Sequence, residues 1–447
     1  MSAMTIQRSA KLTLLNPSRR YRIGFLFNHE AVHQVAHSAP IAAQLAMSDP
    51  LAAVEVIATS ASLLDRARCF LSEDAQRKIS FTLLLSPPWQ TAAGRILDSA
   101  LPFSRIANLV RHRNVLARFD ALVVPERTSL LLKSLLGESA PLLIHTKHGS
   151  GDRAQGYARA VGRFDLVLLS GEKLRDRMTD AGVIKPQQCA IVGYPKFDTV
   201  DHVKPAPLFE NGKPTVVYNP HPEPSLSSWY DMGLDVLNYF SNQADFNLIF
   251  APHVMLFQRR MHVSLEAWRI KLRRDLPSKF FCCPHILIDT GSPKLSDMTY
   301  TRAADIYMGD VSSQIYEFLL RPRPMIFLNP LRRAWRGDRN YDCWNFGTVV
   351  EDINGLPKAL QDAVSRPDCH RLAQERGFRY TFELNEKPSS LRAAQAITQC
   401  VRRTLHPVDL LGGTLFSSSL FSGQCHPVDA HGRGIHTVQE FQVRRGG

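Results

Sequence analysis

Residues 28–37 read Asn-His-Glu-Ala-Val-His-Gln-Val-Ala-His. Zinc peptidases use the spacing His-Glu-x-x-His, here His29 to His33, to set two metal ligands one helical turn apart with a glutamate base between them. That chemistry needs both histidines well inside a helix and a third ligand further on. The residues just before, Arg-Tyr-Arg-Ile-Gly-Phe-Leu-Phe-Asn at 20–28, are a short apolar run bounded by basic residues, the pattern of a buried strand. His37 follows His33 by four positions, not by the six of the metzincin pattern, although His29, His33 and His37 share a face if the segment is helical. The spacing therefore favours a strand-to-helix junction lining a cleft, and no metal is expected.

Other polar groups fall at the ends of apolar runs. Leu-Leu-Ile-His-Thr at 142–146 is followed by Lys147, His148, Gly149, Ser150 and Gly151. Glycines let backbone approach a ligand closely, and a histidine there can act as a base near neutral pH. Ile-Val at 191–192 runs into Gly193-Tyr194-Pro195-Lys196, and Leu-Ile-Phe-Ala-Pro at 248–252 leads to His253. Ala-Asp-Ile-Tyr-Met at 304–308 ends at Gly309-Asp310, with Ser312 and Ser313 opening a predicted helix. Paired hydroxyls and free backbone N–H groups at a helix start hold phosphate without a metal. Taken singly, each has a plainer reading: Asp310, Ser312 and Ser313 as helix caps, His253 as a structural histidine, Lys147 as a solvated turn residue. Their succession at strand ends points to a ligand cleft, because open α/β sheets bind ligands beyond the carboxyl ends of their strands.

Positioning such residues requires alternating strands and helices. The spacing predicts strands at 22–27, 53–58, 80–85, 120–124, 141–145, 165–169 and 189–192, with helices at 38–47, 60–76, 104–118, 127–136 and 171–181. Residues 196–214, rich in proline and charge and poor in periodicity, read as a linker. Strands then resume at 215–218, 247–250, 285–289, 304–308, 324–328 and 347–350. The expected fold is α/β, two Rossmann-like doubly wound domains facing a cleft. The division implied is an extension at 1–19, an N-terminal domain at 20–200, a C-terminal domain at 201–388, a closing helix at 389–404 and a mobile Gly/Ser/His-rich tail at 405–447.

The chain has 447 residues, of which 44% are apolar, and this suits two or three packed domains. No apolar run reaches eighteen residues, and the first twenty-two lack the core of a secretory signal. Eight cysteines, with no Cys-x-x-Cys pair, suggest reduced thiols and a cytoplasmic protein. A formal charge of +13 favours polyanionic partners. Nothing resembles a nucleic-acid-binding motif, so no nucleic-acid partner is expected. Residues 103–119 and 256–276 combine basic residues with helical apolar spacing. Either suits an anionic membrane surface; a helix packed on a sheet with a solvated basic face is the stronger reading.

The order of the motifs resembles the CDP-glycerol glycerophosphotransferases, GT-B-fold enzymes of teichoic acid and capsule polymer synthesis. That family carries His-Gly-Thr-Pro, Gly-Tyr-Pro-Arg, Tyr-Ala-Pro-Thr, His-Pro and Asp-Tyr-Ser-Ser in succession. This chain has His148-Gly149-Ser150, Gly193-Tyr194-Pro195-Lys196, Tyr218-Asn219-Pro220-His221, Pro252-His253 and Asp310-Val311-Ser312-Ser313. It departs at Gly151 and Val254, where the family has proline, and at Lys196, where it has arginine. The resemblance implies a transferase without a cofactor, with His148 as base. Gly193, Lys196, His253, Asp310, Ser312 and Ser313 would bind the donor, and His29, His33 and Lys147 would lie on the acceptor side. It also implies a CDP-activated polyol or nucleotide-sugar donor, a lipid-linked or polymer acceptor, and peripheral contact with anionic lipid at the inner face of the plasma membrane. Two other classes stay open: a nucleotide-sugar glycosyltransferase or 2-epimerase-like enzyme, and a non-catalytic sensor of nucleotide or polymer.

Overall fold

Long apolar runs at even intervals form two parallel sheets. The computed structural model describes residues 20–29, 31–98, 101–147, 149–152, 158–200, 205–264 and 267–405. The expectations for residues 1–19, for His148 and for the tail at 406–447 lie outside the described residues. The first sheet contains β1 (Tyr21–Phe27), β2 (Ala52–Ala58), β3 (Ser80–Leu83), β4 (Ala121–Val124), β5 (Leu142–Thr146), β6 (Leu166–Leu169) and β7 (Cys189–Ile191). Its order is β3-β2-β1-β4-β5-β6-β7, every pairing parallel. β4 and β6 are buried at every residue because helices cover both sheet faces. In β1 the centre is so tight that a Cβ on Gly24 would meet Leu122 Cδ2 at 2.6 Å and Ile57 Cδ1 at 2.9 Å.

The second sheet contains β8 (Thr215–Asn219), β9 (Asn247–Phe250), β12 (Ile286–Ile288), β13 (Ile306–Gly309), β14 (Met325–Leu328) and β15 (Thr348–Val350), in the order β12-β9-β8-β13-β14-β15. Each sheet reverses its winding between its first and fourth strands, β1 beside β4 and β8 beside β13. Those two switch points are where crevices open beyond the carboxyl ends.

One prediction fails. Residues 256–276 are not a basic helix but carry an antiparallel hairpin, β10 (Met261–Ser264) paired with β11 (Arg269–Leu272), between β9 and β12. Met261 and Val263, then Ile270 and Leu272, alternate with period two. The arginines around them happened to fall at helical spacing. By contrast, residues Phe103–Leu116 are helical, burying Asn108, Leu109 and Leu116 and leaving Arg111 and Arg113 outward, while half-buried Arg105 pairs with Glu126 at 3.1 Å.

The chain then returns to the first sheet. Asp198 caps the helix Ser389–Leu405, its two carboxylate oxygens accepting from the N–H groups of Ser389 (3.2 Å) and Ser390 (2.6 Å). Ala393, Ala394, Ile397 and Val401 of that helix join the core beneath β1 and β2. In exchange, Tyr194 and Phe197 pack into the core of the second half with Tyr316 and Phe382.

Two buried ionic clusters join the halves. Asp152 receives Lys173 Nζ at 3.0 Å from its own half. From the other half it receives the Tyr316 hydroxyl at 2.7 Å and the Cys343 N–H at 3.0 Å. Arg177 spans from the Asp152 carbonyl to Asp342, at 3.0 Å. In the second cluster, Glu317 accepts from Lys196 Nζ at 2.6 Å and from the Tyr194 hydroxyl at 3.0 Å.

Candidate active site between two switch points

The end of β1 delivers Asn28 and His29, and the turn of 3₁₀ helix Val32–His37 delivers His33. His29 is buried, and neither ring nitrogen has a hydrogen-bond partner among the described residues. Burial, with Arg105 and His33 nearby, lowers its pKa to about 3. Burial, with Lys196 nearby, lowers that of His33 to about 4. A zinc pair inside a helix is not what this geometry provides. Among the described residues, no three His, Cys, Asp or Glu are placed to hold a metal ion.

The second sheet supplies two more histidines. β8 and β9 are in register, Tyr218 opposite Phe250, and each runs through x-Pro-His into a loop, so His221 and His253 emerge side by side. Their ring centroids are 5.3 Å apart. Nδ1 of His221 accepts from the N–H of Glu223 at 3.1 Å, and Nδ1 of His253 from that of Met255 at 3.3 Å. With Nδ1 accepting, each neutral ring carries its proton on Nε2, as a donor. His253 is held neutral by burial and by the field of His33, its pKa lowered to about 4. His33 acts electrostatically on both His29 and His253, so the loops after β1 and β9 lie near one another. From sequence, His221 appears only as the end of the Tyr218-Asn219-Pro220-His221 motif, with no role assigned; the duplicated x-Pro-His at 219–221 and 251–253 is the signal that picks it out.

The glycine loop comes in from β5. Ser150 is buried, its hydroxyl 2.9 Å from that of Ser170 and its carbonyl accepting from Lys173 Nζ at 2.7 Å. This holds Gly149, at φ +74°, so close to the other half that an added Cβ would lie 3.3 Å from Ser313 Cβ. Gly151 faces the same residue, with Ser313 N 3.8 Å from its own Cβ position. The loop that follows His148 in sequence thus meets the serine motif across the cleft. Lys147 lines a small cavity with His37, Ser170, Gly193, Tyr194 and Pro195. Burial and the charges of Lys173, Arg177 and Arg127 lower its pKa to about 7.

The serine motif differs from expectation in detail. The helix after it, Gln314–Phe318, is only five residues long, and Ser312 Oγ already accepts its first N–H, from Gln314 at 3.2 Å. Ser313 is the partly exposed member of the pair.

Three expected donor contacts face the protein instead. Asp310 is wholly buried; its carboxylate accepts from the N–H groups of His221 (2.8 Å) and Ser228 (3.0 Å), so it positions the His221 loop. Burial raises its pKa to about 7. Lys196 is buried and spends its charge on Glu317. Gly193, at φ +83°, lies under the start of the helix Ser389–Leu405, where a Cβ would run into Ser389 Oγ, Arg392 and the Glu383 carbonyl.

No family model matches the chain, and no curated protein sequence matches it. Solved structures do. A UDP-GlcNAc 2-epimerase from Neisseria meningitidis bound to UDP-GlcNAc superposes with a TM-score of 0.54 at 10% identity, covering 86% of this chain and 100% of that one. The wall teichoic acid polymerase TagF, soaked with CDPG, gives 0.55 at 13% identity over 86% of this chain and 89% of its own. The MnaA–UDP structure from S. aureus gives 0.53 at 13%, covering 87% and 98%. The fold is GT-B-like. These neighbours are enzymes, and both epimerase and polymerase chemistries occur on this framework.

Proposed function

We propose that this chain is a transferase that takes a polyol phosphate from a CDP-activated donor and passes it to an acceptor hydroxyl in cell-envelope polymer synthesis. The observation that carries this reading is the meeting of the glycine loop with Ser313, beside histidines from both sheets. His221 and His253 offer Nε2–H donors, and Ser313 a hydroxyl, to the diphosphate of the donor. His148, next to Gly149 in sequence, is the proposed base. It takes the acceptor proton as the acceptor oxygen bonds to the outer phosphorus of the donor and the bond to the inner phosphate breaks, releasing CMP. Negative charge grows on that departing phosphate, where the N–H and O–H donors would meet it. His29 and His33 stand on the acceptor side. The acceptor is a polymer or lipid-linked hydroxyl, and the reaction belongs at the inner face of the membrane.

A second reading, a nucleotide-sugar glycosyltransferase or epimerase, draws support from the equal fold likeness to the epimerases. Epimerisation needs carboxylates or other bases free to move protons at a sugar carbon. Asp152, Asp310 and Glu317, the carboxylates beside the glycine and serine motifs, each hold two or more protein donors. That favours transfer. Thermal-shift titration with CDP-glycerol, CDP-ribitol, CMP and UDP-GlcNAc, followed by assay of CMP release, separates the readings. Stabilisation by UDP-GlcNAc alone, with no CMP formed from either CDP-polyol, would sink the transferase proposal.

A further inference from the structure

The hairpin β10–β11 is built with its polarity reversed. On the face toward the protein, Ser264 is buried. His262 Nε2 lies 3.1 Å from the Leu256 carbonyl, and Lys271 Nζ donates to Asp231 at 2.8 Å. On the opposite face, the cross-strand pairs Met261–Leu272 and Val263–Ile270 point to solvent. Their exposures are 55% and 70%, then 45% and 66%. Hairpins packed on a globular core do the reverse, apolar inward and polar outward. Trp268, at the turn, is 89% exposed and sits at φ +49°, a left-handed backbone that a bulky residue adopts only at a cost. Within the folded chain, none of this returns anything.

We infer that the hairpin is a membrane-contact element that inserts Trp268 and the four aliphatic side chains into an anionic lipid bilayer. The rim determines the occupant. Arg259, Arg269 and Arg274, in or next to the two strands in sequence, are exposed, and the protein as a whole carries +13. Tryptophan with aliphatics at the tip and cations behind is the arrangement that suits the boundary between lipid headgroups and chains. A nucleic acid would want stacking rings and polar edges on that face, where there are four aliphatics. The chain reaches the hairpin eight residues after His253, so the contact would hold the mouth of the cleft near the lipid. The inference stands on the hairpin alone and does not depend on the transfer reaction.

The test uses the full chain and the double variant Ile270→Ser/Leu272→Ser. Both positions face outward, so the fold should persist, and circular dichroism checks this. The probes are sedimentation with phosphatidylcholine vesicles, with and without phosphatidylglycerol, and quenching by brominated lipid in the parent and in Trp268→Phe. The expected result is salt-sensitive binding to the anionic vesicles only, weakened roughly tenfold or more in the double variant. Lipid quenching should largely disappear in Trp268→Phe. Equal vesicle binding by parent and double variant would overturn the inference. So would no binding by either, a dimer in analytical ultracentrifugation that the double variant dissolves, or single-stranded RNA binding with the same dependence on these residues.

Discussion

Lowering the pH from 7 to 5 is the perturbation that probes the site without changing any residue of the chain. His33, His145 and His253 have pKa values of about 4 in the folded chain and His29 about 3, against 6.5 when exposed. A base whose pKa is lowered by folding contributes stability that is complete above the unfolded value. That stability drains away as pH falls below 6.5, because the unfolded chain takes up protons that the folded chain refuses. Over this interval each histidine loses about 2 kcal/mol. Asp310 works the other way. With a folded pKa of about 7 against 3.8, it binds a proton that the unfolded chain lacks and returns about 2 kcal/mol. Glu126 and Asp342 are raised in the same sense, while Asp49 and Asp289 are lowered and oppose them. Four histidines outweigh one aspartate, and the net loss is on the order of 5 kcal/mol, a large share of the ~5–15 kcal/mol of a typical domain. Urea denaturation followed by fluorescence at pH 7, 6 and 5 measures it. The midpoint should fall steeply below pH 6.5, and His253→Asn should flatten the fall. A midpoint unchanged between pH 7 and 5 would refute the reasoning, as would an undiminished slope in His253→Asn.

Three further outcomes are expected. Asp152→Asn leaves Lys173 and Arg177 buried without their carboxylate, costing about 3–5 kcal/mol in chemical denaturation. Gly193→Ala forces a side chain at φ +83° to within 2.7 Å of the Glu383 carbonyl and should destabilise by about 2–4 kcal/mol. Limited proteolysis should then show the helix Ser389–Leu405 loosened first. His29→Leu removes two buried ring nitrogens that have no hydrogen-bond partner among the described residues, so it should stabilise the fold by about 1–2 kcal/mol. In a CMP-release assay, the same change should reduce turnover.

The sheets were readable because a strand covered on both faces is a continuous apolar run of four to seven residues, and these runs alternate with longer amphipathic segments. Each of the thirteen predicted strands is present with ends shifted by a few residues at most. The hairpin was not readable. Its apolar side chains keep a period of two, but they face solvent, and the basic residues between them mimic a helix. For the site, spacing located the loops but not the direction of their side chains. Asp310 looked like a ligand contact because it ends a strand. Its burial follows from the loop 220–228 folding back over it, a matter of tertiary contacts ninety residues apart in the chain. Lys196 looks like a donor contact through its place in the Gly193-Tyr194-Pro195-Lys196 motif. Its partner, Glu317, lies 121 positions away, and nothing in either local sequence announces the pair.

Those distant pairs explain why the cleft has its present geometry. Tyr316 and Glu317 are consecutive residues of the short helix after the serine motif, and each bonds to the other half of the protein, Tyr316 to Asp152 and Glu317 to Lys196 and Tyr194. A five-residue helix has too few internal hydrogen bonds to hold its own position. Its apolar residues Ile315 and Phe318 pack in the core of its own half, and Tyr316 and Glu317 tie it to the first, so that both halves place Ser313 against Gly149. Asp152 closes the same glycine loop from the other side, one residue beyond Gly151. The two loops that would hold donor and acceptor are thus set by shared buried charges as well as by the sheet from which each arises. Opening the cleft at this point would break the bonds of Tyr316 and the Cys343 N–H to Asp152 and of Lys196 and Tyr194 to Glu317, so these clusters favour the closed contact.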